Sequence, residues 1–286
     1  MSDVPDHQVP RRLFVAWRNP DSRQIIPVGL LLQSNESGAP GYTFVYLKIA
    51  EMLEGFHPLP GLPDLHRRYD SRSLFPVFAN RIMPRERPDY PEYLSGLDLA
   101  PDSDPFEVLQ RSAGARVTDR IEVFAAPQRT SSGEASSLFF VRGIRRLPGA
   151  LDAVNEIRTG DHLTLIDEPD NQVNGHAMLL AGPREVPIGW VPDYLVDHLH
   201  DLRDLNDADP VVTVEHVNGV DVAPHMRVLC RLTARWPVAY EPFDAIDFQP
   251  VFPCLRDQLT RMGSVCWIGE NGTCWPTACG GSRWIR

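Results

Sequence analysis

The chain has 286 residues, of which 43% are hydrophobic, and a formal net charge of -10 at pH 7. The length predicts one large or two ordinary domains, and the hydrophobic share is enough for a packed core. The acidic balance disfavours a generally basic nucleic-acid-binding protein, so any such site has to be local. Because neither an apolar run of transmembrane length nor a signal peptide is present, we expect a cytoplasmic protein without membrane contact.

The residue types also limit the chemistry. Lys48 is the only lysine, which excludes a P-loop, because that phosphate-binding loop requires a Gly-Lys pair. Neither a G-x-S-x-G nor an H-E-x-x-H motif occurs in the chain. No motif nominates a catalytic residue, so we expect a protein that is not an enzyme and that uses no cofactor and no metal.

The chain begins with a polar, proline-containing stretch, so residues 1–11 are predicted to be a disordered arm. Three short apolar strands follow at residues 13–17, 25–32 and 42–46, separated by turn- and loop-forming segments. Short strands joined in this way predict an antiparallel meander.

Two helices are predicted after the meander. In residues 88–97 the apolar side chains recur at helical spacing. Residues 104–112 begin with Asp104 as an N-cap and end before a glycine. With a closing strand at 120–124, these elements predict a small mixed α/β module over residues 12–127.

Several short motifs of this module occur in a recognisable order. They are VGLLL at 28–32, YTFVYL at 42–47, FHPLPGLPDL at 56–65, LFPVFANRIMP at 74–84 and DPFEVLQRSAGARVTDRIEVF at 104–124. In this respect residues 13–125 resemble the small N-terminal subdomain of HipA-type toxin kinases. The kinase lobes do not follow, so the resemblance implies no phosphotransfer. It implies a scaffold that packs against other proteins, which makes residues 12–127 a candidate surface for a protein partner.

The same module carries a cluster of arginines interrupted by acidic residues. The ordinary interpretation is a solvated face. The alternative is a face that contacts phosphates or an acidic partner, since the arginine fork suits both. The cluster consists of Arg67, Arg68, Arg72, Arg81, Arg85 and Arg87.

A Ser/Thr/Gly-rich segment at 128–137 predicts a linker. Beyond it, alternating apolar residues predict a small β-barrel of the OB-like or SH3-like kind, with a short helix that opens at Pro192, over residues 138–205. The fold class is therefore α+β, with the mixed module followed by this barrel. The predicted strands of the barrel are residues 138–144, 161–166, 176–180 and 188–191.

The barrel region contains five motifs with consistent order and spacing. They are G-x-R at 143–145, G-D-x-L-x-L at 160–165, E-P-x-N at 168–171, N-x-x-A-M at 174–178 and I-G-x-V-P at 188–192. By these motifs the region resembles a HIRAN domain. The resemblance implies binding of single-stranded DNA or DNA ends, in which an arginine holds phosphate, aromatic side chains stack on bases, and a loop aspartate bonds the 3′ hydroxyl.

The residues at the positions that hold DNA in that family differ here in three places. Arg145 matches the family arginine, but Arg146 and Leu147 stand where the DNA-end-binding members carry aromatic residues. Asn174 stands at the position of the loop aspartate. A stacking platform would then need Phe140 or Tyr194.

His176 is either a strand histidine held by its loop or a contact to a base or phosphate. The candidate nucleic-acid-binding residues are Arg142, Arg145, Arg146, Asp170, Asn171, Asn174, His176 and Tyr194.

Two segments complete the chain. Residues 206–249 predict a β-hairpin annex around Asn218-Gly219, which either extends the barrel or folds back on the first module. Residues 250–286 form an atypical tail rich in Cys, Trp and Gly. Its four cysteines do not have the paired spacing of a zinc ribbon, which disfavours a zinc site.

Two functions therefore remain open on the sequence. The first is a non-enzymatic nucleic-acid-binding accessory protein, whose HIRAN-like barrel contacts single-stranded DNA or DNA ends. The alternative is a protein-interaction or regulatory module, such as a kinase-less HipA-like adaptor or an antitoxin-like partner. A contiguous positive groove beside Asn174 would favour the first function, and an acidic surface there would favour the second.

Overall fold

A computed structural model of the chain describes residues 11–34, 41–116, 119–238 and 240–251. The predicted disordered arm lies outside the described residues except for Arg11, which begins the first strand. The Cys-rich tail also lies outside them, apart from its first two residues. Within the described residues the chain is a mixed α and β protein with two antiparallel sheets.

The first sheet has five strands in the order β4-β3-β2-β1-β5. The predicted meander is confirmed, because β1, β2 and β3 pair in sequence as antiparallel neighbours. β1 and β2 read as continuous apolar runs because they are buried on both faces. The strands are β1 (Arg11–Arg18), β2 (Ile25–Ser34), β3 (Gly41–Tyr46), β4 (Tyr69–Ser71) and β5 (Ile121–Ala125).

Three helices accompany this sheet. They are α1 (Pro76–Ala79), α2 (Tyr90–Gly96) and α3 (Pro105–Ser112). The Asp104 side chain accepts hydrogen bonds from the backbone N–H of Phe106 at 2.8 Å and of Glu107 at 2.9 Å, as its position before α3 predicts. The helix ends at Ala113, whose left-handed conformation (φ 58°) precedes Gly114.

The second sheet has seven strands in the order β10-β9-β8-β11-β12-β7-β6. Its strands are β6 (Gln128–Arg129), β7 (Glu134–Phe140), β8 (His162–Asp167), β9 (Met178–Ala181), β10 (Pro187–Trp190), β11 (Val211–Val217) and β12 (Val228–Arg235). Its helices are α4 (Ala150–Glu156) and α5 (Asp193–Leu205).

The segment at 128–137 is not a linker, so that expectation was wrong. It contributes β6 and the first half of β7, and Glu134 pairs with Arg235 of β12. The Ser- and Thr-rich composition suggested a flexible segment, but ladder hydrogen bonds to a neighbouring strand do not depend on apolar side chains.

The strands of the predicted annex lie inside the second sheet. β11 pairs with β8, and β12 pairs with β7, so the two strands stand between elements of the HIRAN-like region. The annex therefore extends this sheet, which was the first of the two alternatives.

The second sheet does not close into a continuous barrel within the described residues. A single isolated bridge, from Arg142 just after β7 to Trp190 of β10, joins its two sides. The ladder stops there because Gly143 turns the chain with φ 71° into a short 3-10 helix, Ile144–Arg146. The predicted closed barrel is thus corrected to a curved sheet with one bridging pair.

Apolar packing joins the two sheets. The ring of Tyr194 at the start of α5 stacks on Phe124 of β5 at 4.2 Å between ring centroids. Tyr90 and Leu94 of α2 share a buried cluster with Phe140 of β7. The described residues therefore belong to one compact unit. Within this part of the chain, no helix is both long and apolar enough to span a bilayer.

Candidate nucleic-acid interface

The turn after β7 presents two arginines to solvent. Gly143 adopts φ 71°, and a Cβ at this position would lie 2.5 Å from Cε3 of Trp190, so the turn needs a glycine. The following 3-10 turn buries Ile144 at 2% exposure and leaves Arg145 and Arg146 exposed. The sequence Gly-Ile-Arg-Arg thus anchors the turn through its isoleucine and projects both guanidinium groups outward.

Arg142 makes a contact between the two sheets. Its Nη2 donates to Oε2 of Glu122 at 3.0 Å, and Nη2 of Arg18 donates to Oε1 of the same carboxylate at 3.1 Å. Glu122 is 5% exposed, so it is a buried carboxylate held between two guanidinium groups. Arg142 therefore has a structural partner in the first module, while its side chain stays 28% exposed.

Five arginines form what we call the basic strip. The backbone N–H of Arg18 bonds the carbonyl of Arg120 at 2.7 Å, which places these two residues side by side. The positive charges of Arg142 and Arg145, together with burial as the larger cause, lower the pKa of His225, so both guanidinium groups are near this imidazole. The strip consists of Arg18, Arg120, Arg142, Arg145 and Arg146.

The loop between β8 and β9 is held by its own side chains. Oδ1 of Asn171 accepts from the backbone N–H groups of Val173 and Asn174, and its Nδ2 donates to Glu168 at 2.6 Å. The indole N–H of Trp190 donates to the same Glu168 carboxylate at 2.7 Å. Asn171 therefore shapes the loop, whereas Asp170 is exposed.

Asn174, His176 and Tyr194 line a different surface, a cleft of about 900 Å³. His176 pairs with Asp197 at 3.3 Å. Oδ1 of Asn174 accepts from the backbone N–H of His176 at 3.0 Å, and burial is the main cause that raises the pKa of Asp193. The residues that line the cleft include five carboxylates and no Arg or Lys. Phosphate would be repelled here, so this part of the predicted site does not fit a nucleic-acid backbone.

No stacking platform forms from the two aromatic candidates. Tyr194 lies against Phe124 with an interplanar angle of 8°, and Phe140 is 8% exposed within a buried cluster. Neither ring offers a face to a base in this conformation.

The structure thus divides the predicted site into two parts. Arg142, Arg145 and Arg146 lie together on the basic strip, whereas Asn174 and His176 face the acidic cleft. Sequence reasoning missed Arg18 and Arg120, because they belong to the first module and no motif links them to the second.

The arginine cluster of the first module is largely engaged in internal bonds. Arg81 has a side chain that is 4% exposed and donates to Asp119 and to three backbone carbonyls. Arg68 pairs with Asp70, Arg87 with Asp89, and Arg85 bonds the carbonyl of Ser103. Of the six, Arg67 and Arg72 are the exposed members with neither an ion pair nor a side-chain hydrogen bond among the described residues.

Comparison with known proteins gives two structural neighbours of low similarity. A crystal structure of a protein from Lactobacillus plantarum aligns with 36% of this chain and 97% of its own, at 17% identity and a TM-score of 0.30. The crystal structure of the HIRAN domain of human HLTF aligns with 47% of this chain and 97% of its own, at 15% identity and a TM-score of 0.28. Neither likeness is close enough to assign a function. No family model and no curated protein matches the chain.

Proposed function

We propose that this protein is a non-enzymatic nucleic-acid-binding accessory protein, in which a HIRAN-like module binds single-stranded DNA along the basic strip. The motif resemblance over residues 138–200 supports the module. The observation that carries the proposal is the clustering of five arginines from both modules along one junction, in a chain that is acidic elsewhere.

The chemistry of the strip favours contact with phosphates rather than with bases. Guanidinium groups bind phosphate oxygens through paired, charge-assisted hydrogen bonds. The Glu122 carboxylate pairs with Arg18 and Arg142. Arg145 and Arg146 therefore present their positive charge to solvent without sharing this carboxylate. Because neither Phe140 nor Tyr194 offers a stacking face, we expect binding to depend on the backbone and to be tolerant of sequence.

We expect no specific recognition of the DNA end. In the resembled family a loop aspartate bonds the 3′ hydroxyl, whereas Asn174 of this chain lines an acidic cleft, where its Oδ1 accepts the backbone N–H of His176. The carboxylates of the cleft repel the phosphates of a strand, so its end stays away from this loop. We therefore expect binding along the strand, with little preference for a free 3′ hydroxyl.

Fluorescence anisotropy with a labelled single strand at 50 mM salt tests the proposal. The wild type should bind with a dissociation constant between about 1 and 100 μM, the range of non-specific nucleic-acid binding. Strands that end in a 3′ hydroxyl and in a 3′ phosphate should bind within about threefold of each other. The double variant Arg145→Gln/Arg146→Gln should bind at least about tenfold more weakly. With two phosphate contacts removed, binding releases fewer counterions from the strand.

A variant with the same loss of charge elsewhere is the control. Arg67→Gln/Arg72→Gln removes two exposed arginines of the first module that are not part of the basic strip, and it should leave the affinity within about twofold. If neither strand binds the wild type at this salt concentration, or if both variants lose affinity equally, the proposal fails.

The alternative function, a protein-interaction module, has its own supporting observation in the acidic cleft. Because that cleft carries the charge opposite to the strip, a single chain has room for both functions.

A further inference from the structure

The acidic cleft combines an apolar floor with a row of carboxylates. Ile25 and Ile26 of β2 face Phe243 and Phe248 of the segment after β12. Carboxylates along α5 and beside Phe243 complete the lining: Asp193, Asp197, Asp201, Glu241 and Asp244.

These carboxylates have few cationic partners of their own. Asp197 pairs with His176 at 3.3 Å, and within the described part of the chain the other four form no salt bridge. Two of these carboxylates, at the edges of the cleft, interact electrostatically with more distant cations. Asp193 is attracted by Arg18 and Arg142, and Glu241 by Arg12. The middle of the cleft, around Asp197 and Asp201, therefore keeps an uncompensated negative potential.

The hydroxyl of Tyr240 lies within the negative potential of these carboxylates. Burial raises the pKa of this phenol, and the carboxylates of Asp201, Asp244 and Asp197 raise it further. The hydroxyl donates to Asp201 at 3.1 Å, so its oxygen can accept the Nδ1–H of His198 at 2.7 Å. The directions of these two bonds fix the histidine tautomer.

His198 adds an observation that is independent of the carboxylates. Its ring is 3% exposed, lines the cleft, and stacks on Tyr240. With Nδ1 as the donor, Nε2 is left as an acceptor, and it has no hydrogen-bond partner among the residues that the structure describes. Because Nε2 is itself buried, a ligand in the cleft meets the Tyr240 hydroxyl and the carboxylates rather than this nitrogen.

The spacing of the carboxylates selects the shape of that ligand. Asp193, Asp197 and Asp201 are four residues apart on α5, so their attachment points repeat at about 6 Å along the helix. In an extended chain, side chains on one face repeat at about 6.6 Å. Basic side chains at every second position of an extended segment therefore match the row.

We propose that the acidic cleft binds an extended segment of a partner protein that carries Arg or Lys at alternate positions. Its basic side chains pair with Asp193, Asp197 and Asp201, and its intervening aliphatic groups pack on Phe243 and Phe248. Tyr240, which also lines the cleft, adds an aromatic ring to which a guanidinium group is attracted. This interaction is separate from DNA binding, because it uses the opposite charge and other residues.

Titration with labelled ten-residue peptides tests the proposal. The probe has Arg at every second position with Ser and Val between them, and two controls accompany it. One has the same composition with all arginines in one block, and the other has citrulline in place of arginine. The alternating peptide should bind at least about fivefold more tightly than the block peptide, and the citrulline peptide should not bind.

Variants locate the site on the protein. Asp197→Asn/Asp201→Asn should weaken binding of the alternating peptide at least about tenfold. The matched control Asp204→Asn/Asp207→Asn removes the same charge from exposed positions outside the cleft and should change binding less than twofold. Circular dichroism of both variants verifies that they fold.

Three results would overturn the proposal. The first is equal binding of the alternating and block peptides. The second is equal weakening by the two double variants. The third is displacement of the peptide by spermine at a matching concentration of charge, which would assign the cleft to small organic cations. Because none of these assays contains DNA, a failure here does not bear on the basic strip.

Discussion

At the scale of single residues, Glu122 is the most consequential side chain that the sequence did not single out. It lies in the closing strand of the first module, at a position where alternation with the core residues Ile121 and Val123 predicts exposure, yet it is 5% exposed. Its cost of burial is offset because it accepts hydrogen bonds from both Arg18 and Arg142. The carboxylate thus connects the two modules and neutralises part of the basic strip.

Glu122→Gln should destabilise the protein. The amide leaves two guanidinium groups without a countercharge at a largely buried site, so we expect a loss of about 2 kcal/mol in the free energy of unfolding by urea. The matched control is Glu156→Gln, since Glu156 pairs with Arg184 on the surface, where such pairs contribute less than about 1 kcal/mol. Equal effects of the two substitutions would refute the bridging role of Glu122.

His198 predicts a defined pH dependence of stability. Burial lowers its pKa to about 4, whereas a histidine in the unfolded chain has a pKa near 6.5. Between these values the unfolded chain binds more protons, so this residue's contribution to stability is complete above about pH 7 and is lost as the pH falls toward 4. The loss amounts to about 3 kcal/mol.

Urea unfolding at several pH values between 4 and 7 measures this contribution. His198→Phe should flatten the pH dependence of the unfolding free energy in that window relative to the wild type. His162→Gln, at an exposed position of β8, should leave the dependence unchanged. A His198→Phe protein with the slope of the wild type would contradict the account.

At the scale of elements, the order of strands in the second sheet determines which segments have to fold together. β11 and β12 lie far along the chain from β7 and β8 but stand between them in the sheet. β12 is also the partner of all seven residues of β7. The motifs at 138–200 therefore describe only part of the unit that has to fold.

A fragment of residues 128–205 should therefore not fold on its own. It lacks the two central strands, β11 and β12. Their absence would leave one hydrogen-bonding edge of β7 and one of β8 unpaired. A fragment of residues 128–251 contains every strand of the sheet and should show more ordered β-structure. Circular dichroism and amide exchange of the two fragments provide the measurement, and a cooperatively folded 128–205 fragment would contradict this description of the sheet.

Much of the element pattern was predictable from the sequence. Short apolar runs bounded by turn residues located β1 to β3, and the Asp104 cap located the start of α3, because these signals are local. The sequence could not show that β12 pairs with β7, since ladder pairing between distant segments leaves no local trace. For the same reason Arg18 and Arg120 could not be assigned to a site with Arg145.

At the scale of the whole molecule, the charges are separated. A net charge of -10 disfavours a generally basic nucleic-acid-binding protein, but the total conceals a junction that is rich in arginine and a cleft that is rich in carboxylates. The two candidate functions that the sequence left open correspond to these two surfaces. DNA binding by the basic strip and peptide binding by the acidic cleft can be tested independently.

The salt dependence of single-stranded DNA binding tests the central claim most directly. The logarithm of the association constant falls with the logarithm of the salt concentration by about 0.7 per phosphate contact on a single strand. Arg145→Gln/Arg146→Gln should make this slope less negative by about 1.4, because two contacts are removed. Arg67→Gln/Arg72→Gln should retain the slope of the wild type. An unchanged slope in the Arg145/Arg146 variant, or the same change in both variants, would contradict the assignment of DNA binding to the basic strip.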